Sequence, residues 1–180
     1  MGRVLEALDE DLIDWIGRQP VFFVATAPRD GGHVNVSPKG HDTFRVLDAH
    51  SVAYLDLTGS GVETIAHLRD NARLTIMFCA FEGSPRIVRL YGHGEPIEPG
   101  TTDFDALAEH FPDLPGVRSI IRLAVDRVST SCGYSVPLMR YEGDRDTLLD
   151  WAQRKGPTGI AAYHAERNST SIDGLVGLSG

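Results

Sequence analysis

The spacing of hydrophobic positions changes several times along the chain. In LEALDEDLIDWIGR (5–18), Leu5, Leu8, Leu12, Ile13, Trp15 and Ile16 recur at helical spacing, and Gly17 and Pro20 end the run. VFFVATAP (21–28) is β-branched and aromatic, hence a strand; the chain then turns at Asp30-Gly31-Gly32 and returns as a hairpin through HVNVSP. TFRVLD (43–48) and SVAYLDLT (51–58) predict two more strands, and a helix follows over 62–70. RLTIMFCAF (73–81) and RIVRLYGHGEPI (86–97) are strands around the turn EGSP. TTDFDALAEHF (101–111) reads as a helix capped by Thr101 or Thr102, and the alternating run 118–131 as a strand. Helices are expected at about 145–155 and 158–166, before an open end, SIDGLVGLSG.

Hairpins dominate this order, and strand–helix–strand repeats are absent. The prediction is a mainly β, α+β domain: an antiparallel barrel of about six strands with covering helices. It takes in residues 1–180 as one unit, with an N-terminal helix at about 5–18 and a helical tail from about 140; PDLPGV (112–117) reads as a connection inside it.

Composition narrows the function. At 180 residues, the chain can bury roughly 70% of its unfolded surface. A net charge of −8 argues against a general nucleic-acid binder, which needs a basic face. Cys79 and Cys132 make neither a disulfide framework nor a zinc site, and no His-x-His or His-x-x-x-His pair occurs among the seven histidines. No apolar run approaches ~18 residues and no secretory leader pattern is seen, so a cytoplasmic protein with free thiols is expected.

DLTGSGVETIAHL (56–68) has the form of a phosphate cradle: a strand runs into a Gly-Ser turn and then a helix start, where unpaired N–H groups and the dipole favour anions. Phosphate loops often add a Lys or Arg, yet no cation lies between Thr58 and His67. The same residues also read as a plain helix cap, with Ser60 and Glu63 forming a capping box.

VNVSPKG, then VAYLDLTGSGVETIAHLRDNARLTIMFCAF, then RLYGHGEPI resemble the pyridoxamine 5'-phosphate oxidase-like, FMN-binding split β-barrel proteins over about residues 20–135. The resemblance implies a homodimer with FMN at the subunit interface. It puts Val36, Ser37 and Pro38 beside the flavin, and the 57–64 loop, with Leu57, Thr58, Ser60, Gly61 and Thr64, at its phosphate. Better-known members carry Arg-Lys where this chain has Glu63-Thr64. Lys39 is then the candidate counter-charge, or a solvated turn lysine. Arg89 is the second: it shares a strand face with Ile87 and Tyr91 and needs a phosphate, a carboxylate or a surface ion pair. STSCGYSVP (129–137) implies a bend at Gly133 and puts Cys132 near a flavin, though a cysteine is more often inert packing.

Two functions follow from the resemblance. One is an FMN-dependent oxidoreductase of unstated substrate, in which the cofactor carries the redox chemistry and no catalytic acid or base can be named. The other is a non-catalytic carrier or sensor of flavin or haem on the same barrel, favoured by the missing Arg-Lys pair. An interaction protein that has lost its ligand is a third.

Overall fold

The computed structural model describes residues 2–179. Eight strands and four helices follow in the order β1 (Arg3–Leu5), α1 (Glu10–Gly17), β2 (Phe22–Thr26), β3 (Asn35–Lys39), β4 (Phe44–Asp48), β5 (Ser51–Leu57), α2 (Glu63–Asn71), β6 (Arg73–Cys79), β7 (Ile87–Ile97), α3 (Thr102–Ala108), β8 (Val117–Ser131) and α4 (Thr147–Arg167). The strands form one antiparallel sheet in the order β3-β2-β6-β7-β8-β5-β4, with β1 on β8. The sheet curls into a barrel that hydrogen bonds do not close. Side chains close the seam instead: Phe22 of β2 lies 5.1 Å from Phe44 of β4, and Tyr54 and Phe78 complete an aromatic cluster there. About six strands were expected and eight form; the strand that the sequence did not announce is β1, three residues at the start of a span whose spacing reads as helix.

The N-terminal helix is shorter than its periodicity predicts. Asp9 caps it, its carboxylate accepting from Leu12 N–H at 2.9 Å, so the helix begins at Glu10. Residues 3–5 become a strand for a topological reason. β8 is 15 residues long, and β5 pairs only its first part, up to Ala124. The remaining edge needs backbone partners, and β1 supplies them opposite Val128–Thr130.

Thr101 caps α3 as expected. The two expected C-terminal helices are the two arms of α4, broken at Gly156 (φ 64°, ψ 173°) before Pro157. The end is not open. Asn168 is fully buried, Thr170 pairs with Val176, and Leu178 packs against the core. The apolar spacing of 171–180 is too sparse to announce this, because polar contacts hold the segment. No helix among the described residues is long and apolar enough to cross a membrane.

Candidate functional site

The strand ends of β3 and β5 meet at a buried charge cluster. On β3, Asn35, Ser37 and Lys39 point into the barrel, because Lys39 is opposite the buried Phe22; Val36 and Pro38 point out. Lys39 Nζ reaches across the seam to Asp56 Oδ1 at 2.9 Å, and Arg118 Nε of β8 binds Asp56 Oδ2 at 2.7 Å. Burial raises the Asp56 pKa, but the two cations outweigh it and hold the group at about 2. The trio carries a net single positive charge beneath the 58–61 loop.

Arg118 is one of the residues that sequence reasoning missed. It sits in an alternating strand and gives no motif; only the fold brings it under the loop. Its Nη1 donates to Gly61 O at 2.7 Å and to Asn168 Oδ1 at 3.1 Å. Asn168 in turn donates to Gly59 O at 3.1 Å. Thr58 donates its hydroxyl proton to Gly116 O at 2.7 Å, so its oxygen accepts from His164 Nε2 at 2.8 Å. That assigns His164 the Nε2–H tautomer; burial, then the charge of Arg118, lowers its pKa and favours the neutral ring. Gly116 adopts φ 79°, which favours glycine, and its carbonyl also accepts from Thr58 N–H. The last turn of α4 and the residue after it thus hold the loop from behind.

The predicted phosphate donors separate into two groups. Ser60 is exposed and Gly61 half-exposed. Thr58 and Thr64 are buried, and Thr64 Oγ1 accepts from Asn35 Nδ2 at 3.1 Å. The capping box does not form: the N-cap of α2 is Val62, and no side chain caps it. Glu63 folds back instead, so that a methyl group at Gly61 would collide with its carboxylate, and it accepts from Ile172 N–H at 3.3 Å. An acid therefore already lies at the positive end of this helix.

Two cavities flank the loop. One, of about 530 Å³, is lined by Pro38, Lys39, Leu57, Thr58 and Tyr141 among others. The other, of about 550 Å³, is polar; Ser60, Gly61, Asn35 and Glu63 face Arg167 of α4 across it. Arg167, not foreseen from sequence, is a cation within the same hollow as the loop, though Glu166 sits 3.0 Å from it.

The other two candidates lie elsewhere. Pro38, Phe23, Met77 and Arg89 are successive cross-strand neighbours, so Arg89 projects from the outer face, about 14 Å from Pro38 at three strand spacings. Lys39 points the opposite way, so one phosphate cannot be served by both within a chain. Arg89 Nη1 is 3.3 Å from Ser131 Oγ, a hydroxyl rather than the carboxylate or phosphate anticipated. Cys132 is exposed beyond β8, beside a cleft lined by Trp15 and Arg86. The bend at Gly133 is present (φ 64°).

Residues 8–132 match the pyridoxamine 5'-phosphate oxidase family. The chain belongs to that family. It is 40% identical over 192 residues to the pyridoxamine 5'-phosphate oxidase family protein ustO of Aspergillus flavus, covering 96% of this chain and 76% of ustO. Among solved structures, HupZ of Group A Streptococcus superposes with a TM-score of 0.54 at 23% identity, over 67% of this chain and 91% of HupZ. An FAD-binding protein of Mesorhizobium loti gives 0.51 at 16% identity, over 72% and 96%. These likenesses confirm the fold: a mainly antiparallel α+β split barrel.

Proposed function

We propose that this chain binds FMN and serves as a flavin-dependent oxidoreductase. The observation that carries the proposal is the 58–61 loop, exposed at Ser60 between a partly apolar hollow and a polar one. The first suits a planar ring system, with Pro38, Leu57 and Tyr141 as walls and Lys39 and Thr58 as polar contacts. The second suits the phosphate, with the Ser60 hydroxyl and the Gly61 amide as donors and Arg167 as cation. Glu63 opposes that fit, but a single 3.3 Å hydrogen bond to Ile172 holds it, so it can turn aside. Family membership and the FAD-binding neighbour support a flavin; nothing comparable supports haem. A bound flavin would supply electron transfer, and the chain would bind, orient and shield it.

A second copy of the chain belongs to this reading. The residue just before β3 and the outer face of β3 expose Val34 and Val36 at 74% and 61%, beside Pro38 and Phe23. Such a sheet face is suited to covering by a homodimer partner.

The test is a titration of the purified protein with FMN and riboflavin, followed by flavin absorbance, and then anaerobic mixing with NADH or NADPH. Bleaching of a bound flavin supports the oxidoreductase. Tight binding with no reduction by either nucleotide favours a carrier, a reading supported by the engagement of both Lys39 and Arg118 with Asp56.

A further inference from the structure

A second kind of hollow is separate from the 58–61 loop. A cavity of about 1020 Å³ opens between the end of α1, β2 and the turn after β6, under the strap formed by residues 139–141. Trp15, Val21, Phe23, Phe81, Met139 and Tyr141 make its walls mainly aromatic and apolar. Its charges are Arg18, Arg140 and Glu82. Glu82 is engaged, accepting from Tyr141 N–H at 3.1 Å. Among the described residues, neither Arg18 nor Arg140 has a side-chain hydrogen bond or ion pair. A third guanidinium, that of Arg86, lies 5.4 Å from the Trp15 ring at the rim. In a chain of net charge −8, this is a locally positive hollow with flat apolar walls.

We infer that this cavity binds a small aromatic anion, an aromatic carboxylate or its like, its ring held against Trp15, Phe23 and Phe81 and its charge by Arg18 and Arg140. Aromatic walls favour a planar ring through stacking and edge contacts. Two guanidinium groups free of partners recognise a carboxylate by charge-assisted hydrogen bonds that a neutral analogue cannot return. The cavity shares Pro20, Val21 and Tyr141 with the hollow that contains Lys39 and Thr58, so a ligand here would lie beside the proposed flavin. Its standing as a substrate class rests on the flavin proposal; the binding site does not.

The chain has two tryptophans, so Trp151→Phe leaves Trp15 as a reporter in the cavity wall. In that background, the anion 8-anilinonaphthalene-1-sulfonate and its neutral counterpart N-phenyl-1-naphthylamine are titrated against Trp15 fluorescence. The anion should bind about ten-fold tighter or more. In Arg18→Gln, Arg140→Gln the preference should vanish while the neutral probe binds as before. Equal affinity for the two probes, a preference that survives the double variant, or no quenching of Trp15 by either probe (as when a second copy fills the cavity) overturns the inference. FMN is titrated separately by absorbance. Discrimination between probes without FMN uptake overturns the flavin proposal and leaves the anion site; FMN uptake without discrimination does the reverse.

Discussion

Lys39 Nζ lies 2.9 Å from Asp56 Oδ1, joining β3 to β5 across the open seam of the barrel. The pair does with side chains what the missing strand pairing does not, and it commits to the interior a charge that the 58–61 loop lacks.

Lys39→Ala should therefore act on stability first. It leaves the buried Asp56 carboxylate with Arg118 alone, a loss of one charge-assisted hydrogen bond worth about 2 kcal/mol. Urea denaturation measures it. Because Lys39 faces the ring-side hollow, FMN and riboflavin affinities should fall by similar factors; a loss confined to FMN would put Lys39 at the phosphate.

Acid should weaken the fold through Asp56. Its folded pKa, about 2, lies below the ordinary value of 3.8, so the unfolded chain takes up the proton first as pH falls. The stabilisation, about 2 kcal/mol, is complete above pH ~4 and is lost as pH drops through about 2. Melting temperatures followed from pH 5 to 2 should fall more steeply in wild type than in Asp56→Asn, which starts less stable. Parallel curves would remove Asp56 as a source of the acid sensitivity.

Glu63→Gln should tighten FMN without tightening riboflavin. Removing a carboxylate from the start of α2 relieves its repulsion toward a phosphate, worth roughly 1 kcal/mol or about five-fold in Kd at the surface. Arg167→Gln should do the opposite, again for FMN alone. If riboflavin shifts equally in these variants, the polar hollow does not hold the phosphate.

Asn168→Ala should loosen the loop from behind. The variant strips one partner each from Gly59 O and Arg118 Nη1 in a buried setting, which costs about 2–3 kcal/mol. Amide hydrogen exchange at Gly59–Gly61 should speed up well beyond that at β7, whose hydrogen bonds the change does not touch. Uniform acceleration would mean only a global loss of stability.

Val36→Asp should dissociate the proposed homodimer, because it places a charge on an exposed apolar strand face. Light scattering at micromolar concentration should give a dimer for wild type and a monomer for the variant. A monomeric wild type with FMN bound would end the two-chain proposal.

The sequence by itself determined the architecture. Alternation in 21–28, 73–81 and 86–97 sets which side chains enter the barrel, since a strand has period two and one face is buried. Turn chemistry at Gly31-Gly32 and the break at Gly156-Pro157 were legible because they depend only on local backbone preference. The loop at 58–61 was legible as a loop, but its surroundings were not. Whether Ser60 or Glu63 serves the start of α2, and what holds Thr58, Gly59 and Gly61, are decided by residues more than 45 positions away, Arg118, His164, Asn168 and Ile172, while whether Lys39 faces solvent or Asp56 is decided by the meeting of two separate strands. None belongs to a periodic pattern that marks it. Buried polar groups choose partners by distance in the folded chain and by the cost of leaving a donor or acceptor unpaired, so only the tertiary structure could assign them.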